Sequence, residues 1–165
     1  MYKVFLGIGG NIGDKQLNFI KVAHLVKARL GKIIKVSSIY ETPPWCFVSE
    51  DHFWNQVLLI ETEMNPEKLL EEIHEIEAEF GRKRSIGKYV SREMDIDILY
   101  FDDLYTETKE MIIPHPRIQN RKFVLVPLVE IAPEFKHPLF RLTNLQLLEN
   151  CKDESVIIKI NPEDS

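Results

Sequence analysis

The spacing of apolar and polar positions changes period several times along the chain, and each change predicts an element. Residues 3–8 are apolar and β-rich and predict a first strand. Gly9, Gly10, Asn11 and Gly13 then predict a turn. Asp14 can cap a helix over residues 15–30, in which Phe19, Val22, Ala23, Val26 and Leu30 form one stripe. Gly31 stands where a C-cap glycine belongs. A second strand is expected over about 33–40. Thr42-Pro43-Pro44 stops it, because proline brings no ladder donor. Residues 43–53 read as a long loop and about 55–62 as a third strand. Asn65 and Pro66 open a second helix whose apolar face is Leu69, Leu70, Ile73, Ile76 and Phe80, and Gly81 ends it. Segment 82–92 has no period and reads as a loop. Residues 95–101 form a fourth strand, Asp102-Asp103 a turn, and a short strand ends near Ile113. A short helix over 124–131, interrupted by Pro127, a helical piece near 144–150 and a strand near 155–160 complete the chain.

The order strand–helix–strand–strand–helix–strand is the split βαβ pattern of ferredoxin-like α+β folds, a mainly antiparallel sheet with helices packed on it. With 165 residues, 44% of them hydrophobic, the chain can bury a core without staples, and intrinsic disorder is excluded as its main state. A single domain over 1–160 with a short tail, 161–165, is expected. Cys46 and Cys151 form no CxxC, no apolar run is long enough for a membrane span, and no signal sequence opens the chain. A reduced, soluble, cytoplasmic protein with no membrane role is expected. The net charge of −5 argues against a nucleic-acid binder, but it hides an asymmetry. Arg82, Lys83, Arg84, Lys88 and Arg92 fall in one acid-free segment, so the remainder carries −10. Such a patch suits a small anionic ligand. By charge alone, a solvated loop balancing the acidic helix before it fits equally well.

The strongest chemical signal is Asp95 and Asp97. Two apart on a strand, both carboxylates point to one face, and Ile96 and Ile98 point into the core. Like charges side by side on a strand repel, so a cation should lie between them. Hard oxygen donors suit Mg²⁺, and the spacing suits two metals clamping a phosphoryl group. A solvent-facing alternation with no ligand is the alternative. Arg82, Arg84 and Arg92 supply forks for phosphate oxygens on a loop that could close over a ligand. The Gly-rich turn fails the dinucleotide fingerprint at Ile12, and no P-loop is present. His115, held between Pro114 and Pro116 and followed by Arg117 and Arg121, is a better phosphate contact than an average surface histidine. Of the adjacent Phe53 and Trp54, at least one is expected in the core.

Several motifs occur together in order. These are Gly9-x-Asn11-x-Gly13-Asp14, Glu41-Thr42-Pro43-Pro44-Trp45, Phe53-x-Asn55, Gly81-Arg82 and Arg92-x-x-Asp95-x-Asp97-Ile98-Leu99. Pro114-His115-Pro116-Arg117, Arg121-x-Phe123-Val124-Leu125-x-Pro127-Leu128 and Glu130-Ile131-Ala132-Pro133 follow. The set resembles the 6-hydroxymethyl-7,8-dihydropterin pyrophosphokinase family of folate synthesis, over about residues 3–135. The resemblance implies a three-layer αβα enzyme that moves diphosphate from ATP to the pterin hydroxymethyl group and releases AMP. It implies that Asp95 and Asp97 bind two Mg²⁺, with Asp97 also a candidate base, and that Arg82 and Arg92 serve a mobile catalytic loop. It implies ATP contacts from Glu77, Arg82, Arg84, Arg92, Ile98, His115 and Arg121. A pterin pocket would comprise Thr42, Pro43, Trp45, Phe53, Asn55 and Phe123. Small-molecule substrates, no nucleic acid and a monomeric chain are expected. Cys46, Gly10, His74 and Val90-Ser91 depart from the family's usual residues. A nucleotide-sensing module would not need the aspartate pair, and an RNA-binding sheet would need aromatic central strands that this chain lacks.

Overall fold

The computed structural model describes residues 1–11, 13–42, 52–81 and 94–160. Its elements are β1 (Tyr2–Gly10), α1 (Lys15–Arg29), β2 (Lys32–Val36), β3 (Ile39–Thr42), β4 (Phe53–Thr62) and α2 (Pro66–Glu79). They continue with β5 (Asp95–Phe101), β6 (Thr106–Glu107), β7 (Ile112–Ile113), α3 (Lys122–Ile131), α4 (Asn144–Asn150) and β8 (Ile158–Ile160). The main sheet runs β5-β1-β4-β3-β8, and β2 pairs with β4 beyond β3. Every pairing in it is antiparallel. With β2 and β3 counted as one interrupted strand, the order is fourth–first–third–second, the ferredoxin-like arrangement.

The interruption has a local cause. The sequence predicts one strand over 33–40, but Ser37 Oγ accepts the Val57 N–H at 2.8 Å in place of a ladder carbonyl. Ser38 N–H then turns to the Glu130 carboxylate on α3, at 2.9 and 3.1 Å. The ladder therefore breaks at the serine pair and resumes at Ile39.

Helix ends follow the sequence more closely. Asp14 accepts the Leu17 N–H at 3.1 Å, and Asn65 accepts the Lys68 N–H at 2.8 Å with Pro66 in the first turn. Gly81 ends α2 at φ +78, where a side chain would be strained. Gly31 plays a different part from the C-cap expected of it. Leu30 is the cap, and a Cβ on Gly31 would lie 2.0 Å from the Glu61 carbonyl oxygen. The residue is small because two backbones meet there. Pro127 is buried inside α3, which starts at Lys122, earlier than the expected 124.

The sheet has a core on each face. Phe19, Val22 and Val26 of α1 and Leu69, Ile73 and Ile76 of α2 pack on Val4, Leu6, Ile8, Leu58, Ile60, Ile96 and Ile98. On the other face, Leu125, Leu128 and Ile131 of α3 and Leu147 of α4 cover Phe5, Val57, Leu59, Leu99 and Tyr100. The result is a three-layer αβα sandwich. The expected tail, 161–165, lies outside the described residues.

Candidate active site

The site begins with a register. On β1, Gly7 pairs with Asp97 and Gly9 with Asp95, and on the other side Gly9 pairs with Asn55. Residues directly opposite each other in an antiparallel pair share a face. Asp95, Asp97 and Asn55 therefore project from the same face, separated by two glycines that place no side chain above the sheet. Asp95 and Asn55 are two strand spacings apart, about 10 Å between their Cα atoms. Ile96 and Ile98 are buried in the opposite core, as the alternation predicts. A register shift on β1 between Phe5 and Leu6 pairs them with Tyr100 and Ile98, leaving Leu99 between, so Leu99 and Tyr100 both pack on the α3 side. The aspartate face is thus the face that α3 and α4 cover farther along the sheet.

The row beyond Asn55 extends the site. Tyr40 pairs with Asn55, and Thr42 pairs with Phe53. Asn55 Nδ2 lies 3.5 Å from Thr42 Oγ1, a long hydrogen bond that leaves the amide available to a ligand edge. Thr42 is buried, while Asn55 and Phe53 are half-buried. Trp54 points the other way and packs edge-on against Phe19, with ring centroids 5.8 Å apart. Of the adjacent aromatic pair, Trp54 is the one that packs against the core, half-buried itself, and Phe53 stays on the site face.

A third group comes from the segment leading into α3. His115 N–H donates to the Leu99 carbonyl at 2.9 Å, which fastens the histidine along the outer edge of β5. Its Nδ1 accepts the Arg117 N–H at 3.1 Å. In the neutral ring the proton then sits on Nε2, which makes that nitrogen a donor. Burial, with the positive charges of Arg121 and Arg117, lowers its pKa to about 4, against an opposing pull from Asp95. The four groups therefore share one neighbourhood. The Arg121 guanidinium lies 5.6 Å from the centroid of the Phe123 ring. Glu77 is buried on α2, and its Oε2 accepts the Ile96 N–H at 3.0 Å, on the strand segment between the two aspartates.

As chemistry, two carboxylates two residues apart, each opposite a glycine of β1, form a hard, anionic oxygen donor pair. That donor set fits a divalent cation that also takes water and phosphate oxygens. Cations at 117 and 121 and the histidine donor complement polyphosphate.

Comparison with known proteins shows the family. Residues 5–133 match the 7,8-dihydro-6-hydroxymethylpterin-pyrophosphokinase (HPPK) family. The chain belongs to this family. It is 39% identical over 141 residues to the 2-amino-4-hydroxy-6-hydroxymethyldihydropteridine pyrophosphokinase of Aquifex aeolicus, covering 86% of this chain and 87% of that one. It is 32% identical over 153 residues to the folic acid synthesis protein fol1 of Pneumocystis carinii, of whose length it spans 20%. The fold matches wild-type Plasmodium falciparum HPPK-DHPS with a TM-score of 0.72 at 19% identity, over 90% of this chain and 44% of that one.

Within this HPPK fold, Asp95, Asp97, Asn55, Phe53 and Thr42 share one sheet face, and His115, Arg121 and Phe123 come from the adjoining segment. Pro43, Trp45, Arg82, Arg84 and Arg92 lie outside the described residues. Gly7 falls inside the expected first strand, whereas Gly9, expected in a turn, belongs to β1 as well. Their signal was present: glycines two apart on one strand, matching aspartates two apart on another.

Proposed function

We propose that this chain transfers diphosphate from ATP to the hydroxymethyl group of 6-hydroxymethyl-7,8-dihydropterin, giving the pterin diphosphate and AMP. The observation that carries the reading is the Asp95–Gly9–Asn55 row in a chain of the HPPK family. It sets a carboxylate pair for phosphate chemistry beside an amide suited to a heterocycle's polar edge. In this reading Thr42, Pro43, Trp45, Phe53, Asn55 and Phe123 take the pterin. Phe53 and Phe123 offer flat apolar faces, and Asn55 pairs with its donors and acceptors. His115, Arg121 and the loop arginines Arg82, Arg84 and Arg92 take the nucleotide; of the other two candidates, Glu77 is buried and accepts the Ile96 N–H, and the Ile98 side chain is buried in the opposite core.

Asp95 and Asp97 would hold the divalent cation of the ATP complex, Mg²⁺ and two ions in our reading. Bound there, the metal neutralises charge on the phosphate oxygens. Asp97 accepts the hydroxyl proton, and the freed oxygen attacks the β-phosphorus in line. A new O–P bond forms as the bond from the β-phosphorus to the α–β bridging oxygen breaks. AMP leaves with that oxygen and its electron pair. The His115 Nε2–H and the guanidinium groups donate to the phosphate oxygens as charge shifts, which is most of what phosphoryl transfer asks of a protein. We take the enzyme to act as a cytoplasmic monomer.

The test is product analysis. Incubation with ATP and Mg²⁺ should release AMP only when the reduced hydroxymethylpterin is present, with pterin diphosphate in equal amount. ADP in place of AMP would replace diphosphate transfer by single phosphoryl transfer. Nucleotide binding without pterin-dependent AMP would favour a nucleotide sensor.

A further inference from the structure

The family match ends at residue 133, and the reaction described above makes no use of the chain beyond it. Yet residues 151–158 are ordered in a telling way. Their burial alternates one by one, with Cys151, Asp153, Ser155 and Ile157 the less exposed members. That is the period of an extended segment with one face packed. Both ends are fastened to elements that carry site residues. At the first end, Asp153 Oδ2 accepts the Lys122 backbone N–H at 3.1 Å, and Lys122 Nζ donates to the Ser155 carbonyl at 3.4 Å. Ser155 N–H and its hydroxyl hold the other carboxylate oxygen, Oδ1. At the second end, Ile158–Ile160 pairs with β3 at Ile39, Tyr40 and Glu41, next to Thr42.

Helix α3 lacks what Asp153 supplies. Its N-cap residue is Arg121, whose side chain makes no capping bond. The first N–H groups of a helix find no partner within it. Asp153 accepts one of them from 31 residues away and puts a negative charge at the positive end of the helix dipole. These hydrogen bonds and the Lys122 charge also hold its pKa below the usual range, despite the opposing effect of burial. The turn that Asp153 secures is the one that carries Arg121 and Phe123.

We propose that residues 151–160 form a strap that fixes the first turn of α3 for ligand binding, with Asp153 as its positioning residue. The inference rests on reading Arg121 as a phosphate contact and Phe123 as a pterin contact.

The test compares wild type, Asp153→Ala and Asp153→Asn at a temperature where circular dichroism shows all three folded. Asparagine keeps an oxygen for the Lys122 N–H, and alanine does not. Dissociation constants are measured for the reduced hydroxymethylpterin, for MgATP and for adenosine, which carries no phosphate for Arg121. Amide exchange is followed at Lys122 and Phe123. Asp153→Ala should weaken pterin and MgATP binding roughly fivefold, about the effect of one helix cap. Adenosine affinity should stay unchanged, Lys122 should exchange faster, and Asp153→Asn should recover most of the loss. Unchanged pterin and MgATP constants in Asp153→Ala would overturn the proposal, and so would an equal loss for adenosine. A wild type that bound MgATP but not the pterin would remove the pterin reading alone. The MgATP, adenosine and exchange results would still decide the strap.

Discussion

At the scale of single residues, Asp97 and Asp95 have the same chemistry and differ in register. Asp97 lies opposite Gly7, and Asp95 lies opposite Gly9, in line with Asn55. If Asp97 takes the hydroxyl proton, Asp97→Asn removes the base while keeping the shape. Turnover should then fall about 10³-fold, within the range for loss of a general base, and pterin affinity should stay within about twofold. Single-turnover AMP formation and pterin titration measure the two quantities. Retention of more than a tenth of the rate would move the base elsewhere. Gly9 makes the reciprocal case. A Cβ there would come 3.0 Å from Asn55 Oδ1, tighter than ordinary contact, while among the described residues nothing else but the Trp54 carbonyl, at 3.8 Å, lies near. Gly9→Ala should therefore displace the Asn55 amide with little cost to the fold. Pterin binding should weaken several-fold, about 1 kcal/mol for one disturbed hydrogen bond, and the melting temperature should move by no more than a few degrees. An unchanged pterin constant would mean that Asn55 does not read the ligand. The aspartate pair was legible in the sequence because strand alternation is local. The glycine floor is legible only as a two-residue spacing, because its meaning depends on which strands lie on either side of β1.

At the scale of elements, the signals that worked were those written within a few residues. The Asp14 and Asn65 caps, the apolar stripes of α1 and α2, and the Gly81 stop are all of this kind. Those that failed depend on a distant partner. No local feature of Ser37-Ser38 announces the Glu130 carboxylate on α3 that breaks the second strand, and none at Gly31 announces the Glu61 carbonyl. The latter gives a sharp comparison. Gly31→Ala places a methyl 2.0 Å from backbone oxygen, which cannot rotate aside, so the α1–β2 turn must pull away from β4. The expected cost is about 3 kcal/mol, with a fall in melting temperature of roughly 6–12 °C. Among the described residues, Gly81→Ala meets no atom within 4 Å and carries only the strain of its positive φ, so about 1 kcal/mol is expected. Thermal or urea unfolding of the two variants orders them. Equal losses would mean that Gly31 is a conformational cap after all.

At the scale of the whole molecule, the two cores and the charge balance together set how the fold answers to pH. His137 is 2% exposed, and its Nδ1 accepts the N–H groups of Leu139 and Phe140, both at 3.1 Å. Its ring stacks on Phe140 with centroids 4.3 Å apart and meets Tyr100 edge-on. Protonation at Nδ1 would sacrifice both bonds, and burial lowers its pKa to about 4. In the unfolded chain the same group titrates near 6.5. Between those values the unfolded state binds more protons than the fold, so acidification favours unfolding. Stability is held in full above about pH 6.5 and is lost toward pH 4, at up to about 1.4 kcal/mol per pH unit for each such group. His115, also lowered to about 4, adds to the slope. The carboxylates of Glu130 and Asp153, held low by their donors, act with the same sign but at more acidic pH. Net charge works the other way. The chain carries −5 at neutral pH, so early protonation relieves self-repulsion, but that charge is spread over the surface and screened by salt. Urea unfolding at pH 7, 6 and 5 in 0.15 M salt should therefore show a steady loss of stability. His137→Asn, which can still accept one of the backbone N–H groups but cannot charge, should be less stable at pH 7 and lose less on acidification. A pH profile as steep in that variant as in wild type would show that the buried histidine is not what ties this fold to neutral pH.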